Sequence, residues 1–315
     1  MDLSLRAYEC CTLCPRKCGV DRTQGKLGVC GEPAHPKVAR SALHFWEEPP
    51  ISGEAGSGTI FFSGCPLRCV YCQNHEISHE GAGLEVTTER IARMMLELED
   101  QGALNINLVT ALHFAPHVVE AVRLARAAGL ALPIVCNTSG YETCQMVDAL
   151  ADVVDVWLTD FKYESADLAR RLSGAADYPE VAASALAHMV EHLRRRGGRK
   201  LDEEGRMVQG IIVRHLMLPG EVADSLDVVG RVFEIAGTDV DISIMSQYTP
   251  NERCRKMGGP LSGPIDELDY DLVVCAADDI GFDHIWRQQG ETVSESFVPG
   301  FDGEGVLGPE LSLDV

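Results

Sequence analysis

Thr59-Ile60-Phe61-Phe62-Ser63-Gly64-Cys65-Pro66-Leu67-Arg68-Cys69-Val70-Tyr71-Cys72 joins a short apolar run to three thiols spaced C-x3-C-x2-C. The run reads as a strand buried on both faces. Three thiolates on one loop can hold three irons of a [4Fe–4S] cluster and leave the fourth iron open. Clusters that only carry electrons mostly have four cysteine ligands, so an open iron points to chemistry at the cluster. On spacing alone, zinc or a structural thiol group is the competing reading.

Downstream of this loop the same texture repeats. Further buried strands are predicted at Asn105–Val109, Leu132–Cys136, Asp155–Thr159, Val208–Val213 and Asp241–Met245. Helices alternate with them. Thr88 is the expected N-cap of the first, followed by Ile91, Met94, Met95 and Leu98 at i, i+3, i+4, i+7 spacing. Pro116 opens the second, and Glu142–Ala151, Ala166–Ser173, Pro179–Arg196 and Asp224–Ala236 supply the rest. Six strand–helix alternations predict an α/β fold with a parallel sheet. Its chemistry would gather at the C-terminal strand ends.

Three segments are expected. Residues 1–58 are Cys-, Gly- and Pro-rich with little periodicity and read as a metal-binding module. Residues 59–253 carry the alternation. Residues 254–315, with one helix near Ile265–Ala277 and a Gly/acid-rich end, read as a cover over the open edge of the sheet.

Composition narrows the partners. Against 27 Lys+Arg stand 48 Asp+Glu, a formal net charge of −21, whereas generic nucleic-acid binding needs a basic surface. The densest basic run, Arg194-Arg195-Arg196 to Arg199-Lys200, precedes Asp202-Glu203-Glu204 and reads as a solvated helix end. No apolar run approaches a membrane span, and Met1–Arg6 lacks a signal-peptide core, so a cytoplasmic location is expected. Twelve cysteines in a reducing compartment read better as metal ligands than as disulfides.

The segments Cys11-Thr12-Leu13-Cys14-Pro15-Arg16-Lys17-Cys18 and Cys65 through Ser78 resemble the radical SAM superfamily, in its PflX-type branch. These are homologues of pyruvate formate-lyase activating enzymes. Asn105–Thr110, Asn137–Tyr141, Arg214–Gly220 and Met245–Pro250 fit the same branch. The resemblance implies a partial (β/α)6 barrel rather than a flat sheet. It implies that Cys65, Cys69 and Cys72 bind a [4Fe–4S] cluster whose open iron chelates S-adenosyl-L-methionine (SAM). An electron from a reductant such as flavodoxin or ferredoxin then yields a 5′-deoxyadenosyl radical that takes a substrate hydrogen. The substrate class it implies is a glycyl-radical enzyme.

Further site residues follow from the same resemblance. Tyr71 is expected beside the adenine, and Gln73-Asn74 as loop caps. At the second strand end, where many relatives carry Gly-Gly-Glu for the SAM amino group, this chain has Val109-Thr110-Ala111-Leu112-His113; Thr110 or His113 is the candidate polar contact. Asn137 and Thr138, with Asp160, correspond to a turn that in the activating-enzyme relatives reaches SAM and can hold a monovalent cation; Asn137 replaces an acid of that turn, so a cation is expected to bind more weakly here. Lys162 would neutralise the SAM carboxylate. Arg214 and His215 are candidates near SAM or substrate, as are Gln247 and Tyr248.

A second cysteine group, Cys11-x2-Cys14-x3-Cys18 with Cys30 eleven residues on, offers four ligands on a Gly-rich module. It suits either zinc or a four-cysteine iron–sulfur cluster, and the metal would supply folding energy. Two other functions stay open at this stage. One is radical modification of a small molecule or peptide; the other is a metal-binding adaptor or electron-transfer protein that makes no radical.

Overall fold

The computed structural model describes residues 1–287 and 299–308. Its strands are β1 Lys37–His44, β2 Ser57–Phe62, β3 Leu84–Glu85, β4 Ile106–Val109, β5 Ile134–Thr138, β6 Val156–Asp160, β7 Lys200–Leu201, β8 Met207–Leu216, β9 Asp241–Met245 and β10 Ile285–Arg287. They form one sheet in the order β10-β9-β8-β6-β5-β4-β2-β1-β3, with β7 paired to β8 off this path. The six strands expected from the sequence are β2, β4, β5, β6, β8 and β9, and they run parallel.

The sheet extends past those six on both sides. β10 adds a seventh parallel strand beside β9. On the other side β1 pairs antiparallel with β2, and β3 with β1. β1 lies within residues 1–58, where the sequence shows no strand periodicity. Its neighbour β2 is buried along its whole length, so the pairing, not an alternating pattern, makes it a strand.

Helices pack on the outer face. The first, Thr88–Asp100, is capped by Thr87, whose hydroxyl accepts from the Arg90 N–H at 3.2 Å; this corrects the cap by one residue. Ala115–Ala127, Ala166–Ser173, Tyr178–Arg195 and Val222–Ala236 lie close to their predicted spans. The predicted Glu142–Ala151 shortens to Cys144–Ala149, because Thr143 caps it. The Arg194–Arg199 run is spent on ion pairs with Asp239, Glu191, Asp155 and Asp241.

The inner face follows the period of two along each strand. Val135, Val156, Leu158 and Ile212 point inward, and Ile51, from the short helix Pro49–Ser52, packs among them with Met207. That helix plugs the floor of the barrel. Cys136, Trp157, Ile211 and Val213 face the helices instead. Cys136 is thus a small core hydrophobe.

In the C-terminal segment, helix Glu267–Ile280 packs on Val222–Ala236. Residues 299–308 return to β1: the Ser41 N–H donates to the Glu304 carbonyl at 2.8 Å, and the Phe301 ring stands 5.6 Å from Phe61. Residues 288–298 and 309–315 of the expected cover lie outside the described residues. Among the described residues no helix is long and apolar enough to cross a membrane.

Candidate active site

A cavity of about 220 Å³ opens at the C-terminal strand ends. Phe61, Val109, Asn137, Asp160, Arg214 and Gln247, from the ends of β2, β4, β5, β6, β8 and β9 or just past them, line it together. A sheet can do this only by curling around the cavity, which is the partial barrel. Cys65, Cys69 and Cys72 form one wall, and Thr110, Thr138, Ser139 and Lys162 complete the polar rim.

The cysteine loop is positioned by bonds to distant parts of the chain. Gly64 turns it at φ 81°, and a Cβ there would collide with the Glu32 side chain and lie 2.7 Å from the Cys30 carbonyl. The Val70 N–H donates to the Leu172 carbonyl at 2.8 Å, and the Asn251 side chain donates to the Val70 carbonyl at 2.8 Å. Gln73 Nε2 donates to the Gln247 carbonyl at 2.7 Å, tying the loop to the end of β9. Ser173 donates to Cys69 Sγ at 3.0 Å and Ser78 to Cys72 Sγ at 3.3 Å. Burial pushes the Cys65 thiol up to about 12 and raises Cys72, so a metal bound here would have to displace the proton.

Opposite the thiols lies a charged network. Asp160 and Arg214 are register partners on β6 and β8, so their side chains leave the same face side by side. Arg214 Nε donates to Asp160 Oδ1 at 3.0 Å, Nη1 to Glu47 Oε1 at 3.1 Å and Nη2 to Asn137 Oδ1 at 2.6 Å. Lys162 Nζ donates to Asp160 Oδ2 at 2.6 Å. Burial works against the Asp160 charge, but Lys162 and Arg214 outweigh it and hold the carboxyl below the usual range. Lys162 and Arg214 are raised in turn: burial opposes their charge, and Asp160, with Glu47 for the arginine, overcomes it. The Arg214 guanidinium therefore sits between the Asn137 and Asp160 oxygens that were expected to face a monovalent cation.

Four expected contacts lie behind the cavity wall. Tyr71 is buried between Tyr163 and Tyr248, its hydroxyl accepting from Tyr163 at 2.7 Å. The His113 Nε2 bonds the Ser63 carbonyl at 2.8 Å, and burial pushes this imidazole down to about 3, so it is a neutral brace for the end of β2. His215 follows Arg214 on the strand, so it faces the helices. It bonds the Phe161 carbonyl at 2.8 Å and Ser225 at 2.9 Å, with burial lowering it to about 4. Tyr248 is likewise buried, donating to the Leu261 carbonyl at 2.6 Å. Thr110 does reach the cavity, at φ 54°, a left-handed conformation strained for a β-branched residue.

Glu47 and Glu48 are the residues the sequence reading missed. Glu47 Oε2 accepts from Asn107 at 2.7 Å and Asn137 at 3.2 Å. Glu48 is buried and pushed up to about 7 by that burial, with Glu47 adding to the effect and Arg214 opposing it. The only signal was Glu47-Glu48-Pro49-Pro50, an acid pair in a segment without periodicity. A second chamber of about 390 Å³, lined by Glu48, Ser243 and Trp286, shares Glu47, Arg214 and Gln247 with the first.

The family model of the Radical SAM superfamily matches residues 59–229, more than half the chain, and spans the cysteine loop and the strand ends from β2 to β8. The chain belongs to the radical SAM superfamily. Among curated relatives it is 25% identical to the uncharacterized protein MJ0674 of Methanocaldococcus jannaschii over 266 residues, 81% of this chain and 71% of that one. It is 24% identical to the pyruvate formate-lyase-activating enzyme of Listeria monocytogenes over 177 residues, 53% of this chain and 64% of that enzyme. The match thus covers less than two thirds of the activating enzyme. A solved structure of Streptococcus suis SuiB bound to precursor peptide SuiA is 11% identical, with a TM-score of 0.48 over 71% of this chain and 46% of that one. SuiB solved with S-adenosylmethionine gives a TM-score of 0.49 at 10% identity, over 71% of this chain and 48% of that one. This radical SAM enzyme thus spans about half the length of SuiB. Membership implies a [4Fe–4S] cluster and SAM, and the donor set fits them: three thiols on one wall, with a cationic pair and amide and hydroxyl groups opposite.

Proposed function

We propose that Cys65, Cys69 and Cys72 hold the [4Fe–4S] cluster, that SAM binds in the 220 Å³ cavity against it, and that a glycyl-radical protein is the substrate. The observation that carries the SAM site is the single cavity shared by these thiols and by Thr110, Asn137, Thr138, Asp160, Lys162 and Arg214. When bound and reduced, the cluster supplies the electron that cleaves SAM to a 5′-deoxyadenosyl radical able to take a hydrogen atom. The protein's own part is binding and orientation. Lys162 and Arg214 present positive charge to the SAM carboxylate, and Asp160 keeps both cations in place. With Arg214 between Asn137 and Asp160, the charge assigned in relatives to a monovalent cation is a guanidinium here. Thr110 presents a hydroxyl at the strand end that lacks the Gly-Gly-Glu acid. The second chamber, which shares Arg214 and Glu47, is the entry for substrate.

The substrate class is supported by the similarity to the Listeria activating enzyme. Anaerobically reconstituted protein with dithionite and SAM is expected to form 5′-deoxyadenosine, and Cys72→Ala to form none. Absence of product from the loaded wild type would refute the SAM chemistry. A glycyl-radical EPR doublet on an added glycyl-radical enzyme supports the activase reading; turnover of SAM with no such signal on any candidate protein overturns that part alone.

A further inference from the structure

We infer that Cys11, Cys14, Cys18 and Cys30 hold a second iron–sulfur cluster, of the four-iron, four-cysteine kind, seated against the first. This goes beyond the SAM chemistry above and uses the Cys65 loop as its internal comparison.

The four thiols are gathered by the local fold. The Cys11 N–H donates to the Val20 carbonyl at 3.0 Å, the Gly19 N–H to the Cys11 carbonyl at 2.9 Å and the Lys17 N–H to the Cys14 carbonyl at 3.0 Å. Lys17 and Gly19 take left-handed φ values of 41° and 64° to make these turns. The Val29 N–H donates to Cys18 Sγ at 3.4 Å, as backbone amides do around metal-bound sulfur. Cys14 lies within electrostatic reach of Cys11 and Cys30, and Cys30 of Cys11 and Cys18.

Their spacing argues against zinc. Tetrahedral zinc at about 2.3 Å from each sulfur draws four thiolates to roughly 3.8 Å of one another. Among the described residues, the only His, Cys, Asp or Glu group whose ligand atoms all lie within 4.8 Å is Asp148, His188 and His192. No three of the N-terminal sulfurs are that close. Nor are those of Cys65, Cys69 and Cys72, whose superfamily ligand is a four-iron cluster. Such a cluster seats each thiolate on its own iron and so spreads the sulfurs apart. Neither cysteine set is drawn in to the spacing of a zinc site.

Charge and position agree with this. Arg22 is buried, with its guanidinium 3.8 Å from Cys11 Sγ and 2.6 Å from the His113 carbonyl that it donates to. A fixed cation beside a cluster ligand offsets the negative charge of four thiolates. The Cys65 N–H donates to the Cys30 carbonyl at 3.2 Å, so the last ligand of one set bonds the backbone of the first ligand of the other. Arg16 Nε donates to the Pro66 carbonyl at 2.9 Å across the same seam. With every iron held by cysteine, the second cluster exchanges electrons and does not bind SAM.

The test is metal content and EPR of the full chain, reconstituted anaerobically. Wild type should hold about eight irons and no stoichiometric zinc, and the Cys65→Ala/Cys69→Ala/Cys72→Ala triple variant about four. The reduced triple variant should give an EPR signal that SAM leaves unchanged. Cys14→Ala/Cys18→Ala should keep about four irons with a SAM-responsive signal. Four irons plus one zinc in wild type overturns the proposal. So does a triple variant that is folded by circular dichroism yet free of iron. These readouts do not depend on 5′-deoxyadenosine formation, so failure here and failure of the SAM chemistry are separable.

Discussion

Replacing Arg214 by Gln tests whether the charged network is built around one buried cation. The side chain is 15% exposed and serves Asp160, Glu47 and Asn137. In the variant, Asp160 keeps Lys162 at 2.6 Å and Glu47 keeps two amide donors, but two carboxylates then share a single cation. Removing one partner of a buried pair costs about 3–5 kcal/mol, mostly because a charge is left uncompensated. Taking about 4 kcal/mol, and an unfolding entropy of about 0.7 kcal/mol/K for 315 residues, Tm should fall by about 6 °C. The Glu47→Gln/Arg214→Gln double variant removes the stranded charge as well. It should lose less than the sum of the singles, by about 1–3 kcal/mol. The assay is thermal and urea denaturation of the four proteins at one pH and salt concentration. A loss below about 1 kcal/mol for Arg214→Gln, or additivity within about 0.5 kcal/mol, would refute the network as described.

Other consequences are open to direct measurement. Folded Glu48 holds its proton up to about pH 7 against 4.5 for the free side chain, so between those values the folded state binds more protons and stability falls as pH rises, then levels off. Glu48→Gln should remove that fall, worth about 3 kcal/mol at most, and an unchanged pH profile of urea midpoints would rule out a protonated Glu48. Gly140→Ala places a Cβ against the Asp160 carbonyl and 3.0 Å from the Tyr178 hydroxyl, at φ 77°. It should cost about 2–4 kcal/mol and weaken SAM binding by calorimetry, and a neutral Tm would mean that the turn yields freely. Ser173→Ala deletes the hydrogen bond to Cys69 Sγ, so the cluster's reduction potential should move to more negative values; redox titration showing no shift, or a positive one, contradicts the contact.

The cysteine loop, the six parallel strands and most helices were legible because their signals are local. The spacing of Cys65, Cys69 and Cys72, apolar runs and caps survive in a linear string. Strand parity did not. Arg214 and His215 are adjacent on a strand apolar on both sides, and nothing local says which of them enters the barrel. His113, in the turn after β4, was placed among the SAM contacts by its position past the strand end, although its imidazole braces Ser63.

By itself, then, the sequence determined the chemistry on offer: three thiols on one loop, on a β/α framework, with Asp160 and Lys162 two residues apart at a strand end. Only the tertiary structure brought Glu47 from the N-terminal segment to Arg214, 167 residues away, and laid Cys30 against Cys65. Those contacts arise from curling the sheet until distant strand ends share one cavity. That geometry depends on which faces pack together, and no stretch of sequence carries it alone.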